Sequence, residues 1–139
     1  MTNSTNRQRS SGLTFYWITT GLLTLGMLAG GIAQTAHAKW NVEGMVHLGY
    51  PIYFMTILGI WKILGVIALL APRYRLLKEW AYAGFFFAMT GAVVSHLASG
   101  DGIKEISSPA IFVILIILSW TLRPPARRIM TQAPSYAQA

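Results

Sequence analysis

Cysteine is absent from all 139 residues, so disulfide relays, thiolate metal sites, iron–sulfur clusters and dithiol exchange cannot be carried on this chain. Acidic residues are nearly as scarce. Only Glu43, Glu79, Asp101 and Glu105 occur, against 11 lysines and arginines, and all four stand at or beyond the edges of the long apolar stretches. That placement argues against a small proton-coupled exporter, which needs a carboxylate within its first span. Of the three histidines, only His96 falls inside an apolar stretch, with His37 and His47 at the rim. A b-type haem, which needs two axial ligands facing each other in the bilayer, is therefore not expected. Glu43 and His47 share a helix face at i,i+4 but lack a third ligand nearby, so no metal site is expected either.

What the chain has in quantity is apolar length. Hydrophobic residues make up 54% and charged residues 11%, and four apolar stretches fall at residues 15–36, 52–71, 80–99 and 106–122. At 1.5 Å per residue the first three reach about 30 Å, the thickness of the hydrocarbon core. The fourth has a purely apolar core only over residues 110–122 and reaches spanning length by including 106–109, with Pro109 in its first turn. These lengths predict an all-α fold, an integral membrane four-helix bundle, with no room for a separate soluble domain. One transmembrane domain at residues 14–123 is expected between two disordered tails, 1–13 and 124–139. Ala36-His37-Ala38 has the small-x-small form of a signal-peptidase site. The apolar run before it is longer than a signal core, and an uncleaved first span is the expectation.

Charge then orients the spans. Arg7, Arg9, Arg73, Arg75, Lys78, Arg123, Arg127 and Arg128 lie on one side of the zigzag and only Lys39 and Lys104 on the other. By the positive-inside rule both termini are cytoplasmic. The formal charge of +7 thus encodes topology and attraction to anionic headgroups, and the bilayer rather than nucleic acid is the partner it implies.

Small residues suggest where helices meet. Gly26 and Gly30 form a G-x-x-x-G pair, and Gly59 and Gly65 flank Lys62. Gly84, Ala88 and Ala92 form a row leading to His96, beside a second row of Gly91, Ser95 and Ser99. These rows predict the packed face of the third span, with lipid-facing positions among Phe85, Phe86 and Phe87. Between the first two spans, residues 39–50 predict a short helix capped by Asn41, with Val42, Met45 and Val46 on its apolar side.

Lys62 is the sharpest chemical signal. It stands near mid-membrane, where inserting a lysine costs on the order of 3 kcal/mol, and an ion at that depth needs a partner. It can be neutral, meet Glu43 from the outer loop, face an anionic ligand or another subunit, or be satisfied by hydroxyls such as Thr24 and Thr90. His96 sits about one turn inside the outer boundary. Gln34, His37, Glu43, His47 and Tyr53 belong to the same outer half. Together they predict an outward-opening polar pocket able to hydrogen-bond a quinone carbonyl or relay a proton, against the plainer reading of His96 as a packing residue.

Several motifs add a resemblance. Leu48-Gly49-Tyr50-Pro51, Leu58-Gly59-Ile60-Trp61-Lys62, Ala68-Leu69-Leu70-Ala71-Pro72, Leu77-Lys78-Glu79-Trp80-Ala81-Tyr82-Ala83-Gly84, and Ser95-His96 with Gly100-Asp101 resemble the DoxX-like family of small bacterial membrane proteins. The likeness covers about residues 14–125. It implies four membrane helices, a multi-pass location in the bacterial inner membrane, and an association with membrane oxidoreductase complexes; the family takes its name from a subunit linked to archaeal thiosulfate:quinone oxidation. The leading expectation is an accessory, non-catalytic subunit in quinone-linked redox chemistry, with quinone as the candidate cofactor and other oxidoreductase subunits as candidate partners. A small-molecule or lipid transporter, and a structural assembly factor with no chemistry of its own, are the alternatives.

Overall fold

The computed structural model describes residues 2–129, with side chains from residue 11 onward. Its regular structure is helical: α1 (Thr2–Thr35), α2 (Lys39–His47), α3 (Ile52–Leu70), α4 (Arg75–Ala98) and α5 (Ile103–Thr121), then one 3-10 turn at Pro125–Arg127. Helices α1, α3, α4 and α5 are long and apolar enough to cross a bilayer, the spanning part of α1 beginning at Ser11. Contacts run α1 to α3, α3 to α4, α4 to α5 and α5 back to α1. The four spans therefore form a square in chain order, up-down-up-down, with α2 packed on α3 and α1 at one end. The opposite end, which carries most of the arginines, is called the basic end below.

The centre of the square is filled from every span: Leu23 and Met27, Val66 and Leu69, Tyr82, Phe85 and Met89, and Ile116. Other large apolar side chains, among them Leu25, Trp61, Phe87 and Ile114, point outward, as a surface solvated by lipid tails permits. Because those tails are as apolar as leucine, helix contact rests on close fit. The closest fit joins α1 and α3. A Cβ at Gly59 would stand 2.8 Å from the Gly31 carbonyl oxygen and 2.9 Å from the Thr35 amide. Phe112 covers Gly26, and Phe85 covers Gly65.

Around Gly84 the arrangement differs from the small-residue reading. Nothing lies within 4 Å of a Cβ placed there or at Gly91. The buried face of α4 is instead carried by Lys78, Tyr82, Phe85 and Met89, whose bulk fills the square, and Ala88 and Ala92 flank it half-buried. Of the three consecutive phenylalanines, Phe85 is in the core and Phe87 faces out at 71% exposure.

Helix ends depart from expectation in three places. The polar segment expected to lack structure continues α1 outward from Thr2, since extending a nucleated helix requires no new nucleus. Helix α2 is capped at Ala38, not Asn41, because the Ala38 carbonyl accepts the Asn41 and Val42 amides. Helix α5 starts at Ile103, so Pro109 falls within it and withdraws one backbone hydrogen bond instead of opening the first turn.

The basic end is tied by polar contacts. Lys78, only 2% exposed, donates to the Ala68, Leu69 and Ala71 carbonyls, acceptors that the end of α3 leaves without a partner in the helix. Glu79 pairs with Arg123 at 2.5 Å and accepts from the Trp120 indole at 2.9 Å. A buried hydroxyl chain links Tyr82, Ser119 and Thr20 across three spans at 2.8 and 2.7 Å. Arg127 donates to the Leu69 carbonyl and the Tyr16 hydroxyl and lies over the Trp17 ring. The start of the C-terminal tail is thereby docked to the bundle; the rest of that expected tail, residues 130–139, lies outside the described residues.

Candidate functional site

Three tight helix ends shape the α2 end of the molecule. His37 (φ 54°), Gly49 (φ 78°) and Gly100 (φ 75°) each take the left-handed conformation just past a helix. After each, the chain bonds back to the last turn: Ala38 to Ala33, Tyr50 to Met45, and Asp101 to His96. The reversal at Gly100 sets Asp101 directly over its own helix. There the His96 Nδ1–H donates to one carboxylate oxygen at 2.6 Å, while the His47 Nε2–H, arriving from α2, donates to the other at 2.7 Å. These two histidines, His96 first, hold the Asp101 carboxyl below the usual aspartate range. A second tie joins the start of α3 to α4, the Tyr50 hydroxyl meeting Ser95 at 2.7 Å. His37 meets Thr56 at 2.7 Å.

Beneath α2 these ties border a half-open pocket of about 360 Å³ at the ends of α1, α3 and α4. Aromatic and apolar groups such as Trp40, Met45, Phe54 and Phe87 make most of its wall. Its polar groups are few, and three lack partners. Gln34 Oε1 and Asn41 Nδ2 are buried without a hydrogen bond among the described residues. Lys62, from the middle of α3, reaches the pocket floor and makes no ion pair or hydrogen bond among those residues. The hydroxyls considered for it are occupied, Thr24 with the Thr20 carbonyl and Thr90 with that of Phe86. Glu43 turns away to solvent, 3.9 Å from Lys39. An acceptor, a neutral donor and a lysine thus border one apolar space, a set of polar groups able to hydrogen-bond an oxygen-bearing headgroup.

Of the seven residues singled out in the sequence, Lys62, Gln34 and His96 line this pocket, His47 joins its rim through Asp101, and His37 bonds Thr56 outside the pocket lining. Tyr53 faces outward at 69% exposure, on the side of α3 away from the pocket-lining Phe54, and Glu43 stands on the outer surface of α2. Sequence reasoning missed Asn41 as a pocket group and Asp101 as the link between two histidines. The Ser95-His96 and Gly100-Asp101 pairs were a visible signal for half of that link, because a glycine after a helix turns the next residue back. His47 arrives from another helix and left no such trace.

Lys62 also borders a second space. An apolar groove of about 440 Å³ runs between α3 and α4 from Lys62 toward the basic end, flanked by Trp61 and Trp80 and floored by Gly65, Ala81 and Gly84. Among the described residues no cluster of three or more His, Cys, Asp or Glu could hold a metal ion.

Comparison with known proteins agrees with this architecture. The chain is 36% identical over 76 residues to the uncharacterized protein YdgD of Bacillus subtilis (strain 168), a match covering 54% of this chain and 67% of that protein. No solved structure matches. The family model of the DoxX-like proteins matches residues 18–119, from within the first span to the end of the fourth. A multi-pass bundle of four apolar helices whose length falls almost wholly within that match belongs to the DoxX-like family.

Proposed function

We propose that the pocket beneath α2 holds the headgroup of a membrane quinone, and that the protein serves as an accessory subunit in quinone-linked redox chemistry in the bacterial inner membrane. The observation that carries this reading is Lys62, a lysine at mid-span with no protein partner among the described residues, bordering an apolar pocket beside an unpaired amide oxygen. A quinone carbonyl accepts from the lysine or from Asn41, and a quinol hydroxyl donates to Gln34; the ligand thereby offsets the roughly 3 kcal/mol that a mid-membrane lysine costs. Reduction or oxidation of a quinone moves protons as well as electrons. The His96–Asp101–His47 chain offers the protons a route, since it begins on the pocket wall and ends at a histidine side chain that is 56% exposed. The electrons belong to a partner subunit of the oxidoreductase class.

The test is to purify the protein in mild detergent, extract it and identify bound lipophiles by mass spectrometry. Quinone is expected with the wild type, and it should be lost from Lys62→Met at unchanged melting temperature and from His96→Phe, which also gives up the bond to Asp101. A second reading, handling of a lipid or other small molecule, is favoured by the position of Lys62, where the pocket meets a groove open to the bilayer. A bound lipid in place of quinone would select that reading. An empty protein would leave a purely structural assembly role.

A further inference from the structure

We infer that the groove between α3 and α4 is the seat of the ligand's apolar tail, so that the occupant of the α2-end pocket is a long-tailed amphiphile, an isoprenoid quinone, entering sideways from the bilayer. This inference rests on the headgroup reading above and adds the class of tail and the direction of entry.

Continuity is the first argument. Leu58, Lys62 and Ala88 border both the pocket and the groove, so the two spaces meet at the lysine. Chemistry is the second. Apart from Lys62 and the indole N–H groups of Trp61 and Trp80, the groove's side chains offer nothing polar to a ligand. Shape is the third. The floor is small, and at Gly84 the space above the backbone is open, nothing lying within 4 Å of where a Cβ would be. Between Leu58 and Ala68 the groove follows α3 for about 15 Å at the helical rise of 1.5 Å per residue.

Direction is the fourth. The pocket lies at the α2 end of the spans, and the groove leads from mid-span toward the opposite end. An amphiphile with its head near one membrane surface has its tail pointing inward along that same path. The open side of the groove carries Trp61 and Trp80, each 67% exposed. Because tails leave lipid and not water, the groove gains little hydrophobic free energy; its effect is to align the ligand and set its head on Lys62.

The experiment uses the full chain in lipid nanodiscs and an isoprenoid quinone bearing a photoreactive diazirine at the far end of its tail. Labelling is expected on α3 and α4 peptides around residues 64–68 and 77–81, competed by an excess of a tailless quinone. Gly84→Leu, which fills the open floor, should abolish that labelling with the melting temperature unchanged. Leu77→Trp, at the far end of the groove, should reduce it and serves if the glycine variant fails to fold. Labelling spread equally over the outer faces of α1 and α5, with competition by the tailless quinone intact, would overturn the tail site while the headgroup reading stood. Groove labelling that neither Lys62→Met nor the tailless quinone diminished would keep the tail site and sink the quinone headgroup.

Discussion

His47 and Asp101 are 54 positions apart in the chain, yet the imidazole Nε2 and the carboxylate Oδ1 meet at 2.7 Å and fasten α2 to the turn between α4 and α5. His96 takes the other carboxylate oxygen from below. One aspartate thus holds the cover of the pocket and one of its walls.

Acidification should release that cover. The Asp101 carboxyl titrates below its ordinary value of 3.8 because the His96 and His47 N–H groups favour the carboxylate. A depressed carboxyl contributes stability in full above the unfolded value and loses it as pH falls through the folded one. Amide hydrogen exchange in α2 should therefore rise as pH is lowered below about 4, after correction for intrinsic rates. Asp101→Asn should show fast exchange at neutral pH and little further acid dependence. An acid response in α2 equal to the wild type's would show that other carboxylates hold the helix.

Gly59 and Gly84 look alike in sequence and should answer oppositely to a side chain. Gly59→Val drives a branched side chain into the Gly31 carbonyl and the Thr35 amide, and should cost about 1–3 kcal/mol through overpacking. Gly84→Ala enters open space and should be neutral or slightly stabilising, since glycine within a helix is disfavoured against alanine by about 1 kcal/mol. Thermal melting in the same detergent compares the two, and equal losses would refute the asymmetry.

Lys78 should matter for stability where Lys62 matters for ligand. Replacing it by Met strands the Ala68 and Ala71 carbonyls, leaves Leu69 to Arg127 alone, and should destabilise the bundle by about 2–3 kcal/mol, the range for hydrogen bonds to a charged group. Lys62→Met removes no bond present among the described residues and should insert as well as the wild type or better. A Lys78→Met protein that melts with the wild type would show the cap to be dispensable.

Reporter fusions should place the basic end in the cytoplasm. Fusions at residues 73–75 and after residue 129 should report inside, and fusions at residues 38 and 102 outside, as the excess of Arg and Lys at one end demands. A C-terminal fusion that reports outside would mean that α5 does not cross.

The four spans were legible in the sequence, because a bilayer forces every backbone polar group into a helix and sets the helix length, whereas their arrangement as a square came only with the packing. Lys62 was legible for the same reason, since a charge amid apolar residues needs no neighbour to be noticed. Family membership was written in short motifs such as the Leu58–Lys62 run. The rest waited on side chains that meet across helices. Lys78 read as one of several topological charges, and only the packing of α4 against the end of α3 buries it as a cap. The Gly84 row read as a contact face, yet the larger Phe85 and Met89 turned into the core and left Gly84 on an open groove, with Ala88 and Ala92 half-buried beside it. Asp101 read as an acidic residue at the edge of a span until α2 brought His47 to it. Local patterns of hydropathy and charge act over a few residues and survive in one dimension. Which small residue lies against a backbone, and which carboxylate against an imidazole, depends on helix rotation and on loops that only the assembled bundle determines.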